Sequence, residues 1–327
     1  CGTHTMAIYQ YGIRSLLPPH VRLISGPGCP VCVTPNGYVD RAVACCRLPD
    51  TVVATFGDMV RVPGSSSSLM EERAKGADVR IVYSPLDAVA LAAKNPYKRV
   101  IFLGVGFETT APTVAGSILA AEAKGLSNYF VLASHKTIPV PMQLLSSDPE
   151  LRIDGYICPA HVSVIIGSDA YRFLAEENGV PCVVTGFEPG DMIRGIEMLV
   201  RQVVEGRSEV EVEYSRVVKR EGNLRAQEVL REVFIPFDAE WRGVGVIPGS
   251  GLRIAPKYAR FDAELQVPVR VEEPREHRGC LCGEILKGKV TPFDCSLFGT
   301  TCTPEAPVGA CMVSSEGTCA AAYRYGQ

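Results

Sequence analysis

Short apolar runs rich in β-branched residues alternate along this chain with longer segments in which apolar side chains recur every three or four positions. Residues 51–56, 79–83, 99–104, 129–134, 155–159 and 181–185 are of the first kind and read as strands. Residues 36–47, 85–94, 111–124 and 192–205 are of the second kind and read as helices, the third of them with Thr109 or Thr110 as its expected cap. A further strand-like run, residues 21–25, leads into a Gly- and Pro-rich turn. Apolar strands that alternate with helices and empty into Gly- or Ser-rich loops indicate parallel sheets and the α/β class. The pattern restarts near residue 97. Residues 1–96 and 97–234 are therefore read as two similar parallel-sheet α/β domains, the second closing with a charged strand over 209–214 and a helix over 223–234. From 235 to 327 Pro, Gly and short β segments dominate, which predicts a small loop-rich domain held by metal rather than by a large core. A length of 327 residues accords with several domains.

Charge and hydropathy narrow the partners. The net charge is −3 and Lys and Arg are scattered, so the chain offers no basic field for nucleic acid. The best apolar run, residues 100–106, has the length of a core strand and falls far short of the ~20 residues a membrane helix needs. The chain opens on Cys instead of Met, so a few residues are expected to precede it, and no signal-peptide pattern is present. Thirteen cysteines in a long chain patterned for strands and helices accord with reduced thiols in the cytoplasm better than with a small secreted disulfide framework.

Two groups of cysteines carry the candidate chemistry. The first spans Cys1-Gly2-Thr3-His4-Thr5 and Gly26-Pro27-Gly28-Cys29-Pro30-Val31-Cys32. A Cys-x-x-Cys pair where a strand ends and a helix starts is set to stabilise thiolate, the form that binds metal or attacks disulfides. Inert core cysteines are the bland alternative, but a plain core strand would not carry two prolines. His4 is three residues from Cys1, near enough to share a metal or take a thiol proton. The second group is Cys280, Cys282, Cys295, Cys302, Cys311 and Cys319, six thiols within the last 48 residues. Their spacing lacks the paired tight knuckles of a zinc ribbon, and Cys282, Cys295, Cys302 and Cys319 offer four separated thiolates suited to a [4Fe-4S] cluster, with zinc or disulfides as the alternatives.

In open parallel sheets ligands bind beyond the carboxyl ends of the strands, where Cys29, Asp58, Glu108, His135, His161 and Glu188 all fall. Glu108 in GVGFETT is read as a general base, an orienting acceptor or a helix cap. The glycines beside it are too few for a dinucleotide fingerprint. His135 and His161 are read as loop residues with a possible site role, His20 and His277 as surface residues, and Cys45, Cys46, Cys158 and Cys182 as packing. The serines at 65–68 are read as a flexible loop with room for a lid.

Taken together, CGTHT, GPGCPVC, GFETT and CMVSSEGTCAAAYRY resemble one family over essentially the whole chain, the HypD proteins that mature the metal centre of nickel–iron hydrogenases. The resemblance implies a scaffold on which an iron carrying two cyanides and one carbon monoxide, Fe(CN)2CO, is assembled. The implied partners are a small HypC-type chaperone and a HypE/HypF-type pair that donates cyanide. It further implies that Cys1 binds the iron, that Cys29 and Cys32 are a redox pair, that Glu108 is a cleft carboxylate, and that Cys282, Cys295, Cys302 and Cys319 hold a [4Fe-4S] cluster. Met6 stands where many members carry a second histidine, so that side chain is not an obligatory ligand. The implied protein is a redox-active assembly scaffold more than a conventional turnover enzyme. A cluster-dependent thiol–disulfide oxidoreductase shares the dithiol and the cluster but has no use for Cys1-Gly2-Thr3-His4. A structural zinc protein is the third reading.

Overall fold

The computed structural model describes residues 1–326. Helix α1 (Gly2–Gln10) comes first, and helix α2 (Asn36–Cys46) leads into strand β1 (Thr51–Thr55). Strand β2 (Asp78–Ile81), helix α3 (Pro85–Lys94), strand β3 (Arg99–Gly106), helix α4 (Ala111–Ala123) and strand β4 (Tyr129–Lys136) continue the alternation. Helix α5 (Pro139–Ser146), strand β5 (Tyr156–Pro159), helix α6 (Ala160–Ile166), strand β6 (Cys182–Thr185), helix α7 (Pro189–Glu205) and strand β7 (Val210–Val212) form a second run. Helix α8 (Leu224–Val233) and the hairpin strands β8 (Phe234–Trp241) and β9 (Gly245–Ile254) follow, and the last part holds helix α9 (Cys282–Leu286) and helix α10 (Thr318–Tyr325).

The α/β class holds, built on a mixed six-stranded sheet ordered β2-β1-β3-β4-β9-β8 and a parallel three-stranded sheet ordered β5-β6-β7. In the larger sheet β2, β1, β3 and β4 run parallel, and the β8–β9 hairpin joins antiparallel through β4. The division expected at residue 96 does not separate the sheets, because Thr51 to Ala54 of β1 pair with Arg99 to Phe102 of β3. A restarted strand–helix pattern is what a crossover connection within one sheet also produces, since each right-handed return lays a new parallel strand beside an old one. The hairpin, expected in the cysteine-rich domain, belongs to the large sheet as well. Its prolines and glycines give it a loop-like composition, and β8 accommodates Pro236 because it is an edge strand.

Strand parity divides the core. Val53, Ile101, Leu103 and Leu132 point to one face, and Val52, Ala54, Val100, Phe102 and Val131 to the other. Helices α3, α4 and α8 cover the second face with Ala88, Val89, Val114, Ile118 and Val233. Helix α2 packs on the first with Tyr38, Val39 and Val43, and Tyr38 Oη donates to the Leu132 carbonyl at 2.8 Å. Cys29, Cys32, Cys282, Cys302, Cys311 and Cys319 belong to the core on this first side.

Three local expectations change. Residues 21–25 form no strand, and they line a cleft instead. Strand β4 runs on to Lys136, so His135 is a strand residue facing the helix-covered side, against Phe234. Thr110 takes the N-cap position of α4 without a side-chain capping bond.

Candidate metal and thiol site

Cys1 stands half-buried at the N-cap of α1 and opens into a cavity of about 410 Å3. Its walls come from the first 28 residues on one side and from Met142 and Leu145 of α5, Tyr156 of β5 and Leu199 of α7 on the other. Two glycines let backbones meet at Cys1. A Cβ on Gly28 would lie 2.5 Å from Cys1 Cα, and the Gly2 N–H donates to the Gly28 carbonyl at 3.0 Å. A Cβ on Gly2 would lie 2.7 Å from Glu316 Cβ, and Thr3 Oγ1 donates to Glu316 Oε1 at 2.6 Å. The segments CGTH, GPGC and SSEG, far apart in sequence, therefore meet at one point.

Of the two histidines near this point, His161 is the one beside the thiol. Its Nε2 lies 3.9 Å from Cys1 Sγ, and its ring stacks on Phe187. His4 turns away, and its Nε2 donates to the carbonyls of Thr185 and Gly186 at 3.0 and 2.9 Å. Two carbonyl acceptors fix the proton on Nε2 and leave Nδ1 buried without a partner. Burial pulls His4 down to about 3 and His161 down to about 4, so both imidazoles are neutral at pH 7. The arrangement expected for His4 is thus found at His161, where a neutral ring can accept a thiol proton or bind metal.

Cys29 and Cys32 are joined in a disulfide, 3% and 0% exposed, and they lie behind the cavity wall instead of lining it. They flank a turn whose helix starts only at Asn36, and the Cys32 N–H donates to Cys29 Sγ at 3.2 Å. Cys32 Sγ reaches the Ala310 carbonyl at 4.0 Å, one residue from Cys311. Glu108 also lies one layer behind the wall that Phe107 and Ile138 form. Its Oε1 accepts the Ile138 N–H at 2.8 Å, Oε2 is buried with no partner, and burial pushes the carboxyl up to about 7. Glu108 is therefore an orienting acceptor for the chain leaving β4 and does not cap α4.

All six C-terminal cysteines line one small cavity walled by Ile285, Leu297, Phe298 and Met312. Cys282 Sγ and Cys311 Sγ are 2.7 Å apart, and hydrogen bonds from Cys280 and Cys311 hold the Cys282 thiol well below the ordinary range while theirs are pushed up. Gly309 and Gly317 keep the space open: a Cβ on the first would lie 2.8 Å from Cys280 Sγ, and on the second 2.1 Å from the Cys311 carbonyl oxygen. Among the described residues no three His, Cys, Asp or Glu side chains converge as they would about a single ion. Thiols spread around an apolar-walled space instead suit a multinuclear iron–sulfur group. Arg242, whose neighbour Gly243 packs on Gly283, has a buried Nη1 with no partner. The set Cys282, Cys295, Cys302 and Cys319 is brought together, and Cys280 and Cys311 join it.

Other residues take structural places. Ser65 donates N–H and Oγ to Asp40 at 2.7 and 2.6 Å and accepts the Arg275 N–H at 2.7 Å, so the serine run is tied down and is not a loose lid. Cys45, Cys46, Cys158 and Cys182 are buried, and burial raises Cys45 to about 11 and Cys46 to about 12. Asp58 is half-buried and Glu188 is exposed at the start of α7. His161 was singled out from the sequence but not paired with Cys1, and Glu316 and Arg242 are additions. His161, expected in a loop, lies in the first turn of α6, Glu316 precedes Gly317, and nothing local marked Arg242.

An α/β scaffold that presents a thiol to a cavity, a buried disulfide behind it and a nest of six further cysteines defines a thiol-rich class of α/β protein. Comparison with known proteins makes this specific. The HypD family model, described as the hydrogenase formation hypA family, matches residues 1–326. The chain is 49% identical to hydrogenase maturation factor HypD2 of Bradyrhizobium diazoefficiens, over 100% of this chain and 88% of that protein. It is 48% identical to HypD of Rhizobium leguminosarum bv. viciae, over 100% and 87%, and 47% identical to HypD of Escherichia coli, over 100% and 88%. The chain belongs to the HypD family.

Proposed function

We propose that this protein is a hydrogenase maturation factor that acts in the cytoplasm as the scaffold for the Fe(CN)2CO unit of nickel–iron hydrogenase. It would work with a small HypC-type chaperone and receive cyanide from a HypE/HypF-type pair. Cys1 is the thiolate offered to the incoming iron, and His161 is the neutral base beside it. Cys29 and Cys32 are the redox pair, Glu108 holds the wall in place, and Cys282, Cys295, Cys302 and Cys319, drawn from the nest of six, would hold a resident [4Fe-4S] cluster. Bound there, such a cluster would supply one-electron chemistry. The mostly apolar wall of the cavity suits a low-spin iron that needs soft thiolate support.

The observation that carries this reading is the meeting of Cys1, Gly28 and Glu316 at the end of a 410 Å3 cavity, a construction with no use in a plain reductase. The oxidoreductase reading suffers further because a disulfide 3% and 0% exposed is closed to a protein substrate. Infrared spectroscopy of the anaerobically isolated complex with the chaperone is the test. Cyanide and carbonyl stretching bands are expected, and they are lost in Cys1→Ala. Absence of bands together with turnover of a protein disulfide would favour the reductase, and a colourless preparation containing zinc would favour the structural protein.

A further inference from the structure

Arg242, just past β8, is a buried charge that its protein neighbours account for only in part. Its side chain is 5% exposed. The backbone N–H donates to the Val33 carbonyl at 2.9 Å, Nε donates to Glu276 Oε1 at 3.2 Å, and Nη1 is buried with no partner. The Glu276 side chain is 55% exposed and makes a single long contact, which falls short of the bidentate carboxylate clamp that suits a buried guanidinium. A buried cation with an unpaired donor is costly to desolvate unless an anion sits beside it.

The position of Arg242 says where that anion belongs. Gly243 has a φ of 71° and packs backbone to backbone on Gly283, so that a Cβ on Gly243 would lie 2.2 Å from Gly283 Cα. This contact lays the turn of the β8–β9 hairpin directly on the residue after Cys282. A group of iron and sulfide held by four thiolates is anionic, and reduction adds one more negative charge.

We infer that Arg242 is the counter-cation of an anionic cluster in the cysteine nest, a positioning residue that sets the reduction potential of that cluster without ligating it. The inference rests on the reading that the nest holds iron and sulfide. A fixed positive charge in a low-dielectric surround favours the reduced, more negative form, and Glu276 partly offsets it. The two residues therefore act with opposite sign.

The test uses the full chain reconstituted anaerobically with iron and sulfide, titrated under electron paramagnetic resonance as wild type, Arg242→Gln, Arg242→Lys and Glu276→Gln. Arg242→Gln is expected to lower the reduced-to-oxidised ratio at a fixed solution potential about tenfold, which for a one-electron couple is about 59 mV. Arg242→Lys restores most of the ratio, and Glu276→Gln moves it upward. An unchanged ratio in Arg242→Gln at wild-type iron and sulfide content overturns the inference and leaves the cluster reading standing. Should Arg242→Gln fail to load, Glu276→Gln decides: an upward shift supports the inference and no shift overturns it. Wild-type protein that takes up no iron and sulfide overturns the cluster reading itself, and the inference falls with it.

Discussion

Replacing Glu108 with Gln removes an ionisable group from a dry place and should change how stability depends on pH. The residue is 4% exposed, one carboxyl oxygen has no partner, and burial moves its pKa from the ordinary 4.5 to about 7. Between those values the folded protein holds the proton more tightly than the unfolded chain does. Linkage then requires stability to fall as pH rises through the interval and to level off above about 7. At about 1.4 kcal/mol for each tenfold change in proton affinity, the loss is about 3 kcal/mol. Gln keeps the acceptor for the Ile138 N–H but cannot ionise, so this loss should vanish. His4, His135 and His161 have depressed values and work the other way, weakening the fold as pH falls below 6.5, but they are common to both proteins and cancel in the difference. Urea unfolding from pH 4.5 to 8.5, followed by the single buried tryptophan, Trp241, gives the comparison. The difference should swing by about 3 kcal/mol in favour of Glu108→Gln toward high pH. Parallel curves for the two proteins would refute the reasoning.

Three further outcomes are expected. Gly28→Ala pushes a methyl to 2.5 Å from Cys1 Cα and should cost about 1–3 kcal/mol in thermal unfolding, whereas Gly26→Ala, with nothing within 4 Å, should be nearly silent. His135 is fully buried with both ring nitrogens unpartnered and a value pulled down to about 3, so His135→Leu should remove about 2 kcal/mol of the stability that wild type loses between pH 6.5 and pH 5, read from urea midpoints at the two values. His161→Leu removes the base 3.9 Å from Cys1 Sγ and should slow alkylation of Cys1 by iodoacetamide several-fold, measured by peptide mass mapping. An unchanged alkylation rate would remove His161 from the site.

Much of the fold was legible because parallel strands announce themselves through composition. Thr51–Thr55 and Arg99–Gly106 are buried along nearly their whole length, so periodicity and burial agree. What periodicity cannot carry is which strand lies beside which, and so the 96/97 division dissolved into one sheet. The β8–β9 hairpin was hidden by the Pro and Gly that an edge position tolerates. At the site, the thiols of the C-terminal nest were legible from their clustering alone, since a loop-rich segment has few other means of folding. The roles of the histidines were not. Proximity in sequence favoured His4 for Cys1, but on a helix the side chain three residues on is free to turn elsewhere, and it found two carbonyls at the end of β6 while α6 brought His161 to the sulfur. His135 shows the same limit in a strand, where extending β4 by two residues turned a loop histidine into a core one.

The hydrogen bond from Thr3 to Glu316 spans 313 positions of the chain. During synthesis Thr3 is therefore made long before Glu316, and the contact that ties the first helix to the cysteine-rich segment waits until that segment has emerged. The first helix is thereby seated by tertiary contact with a distant stretch of chain and not by its neighbours in sequence.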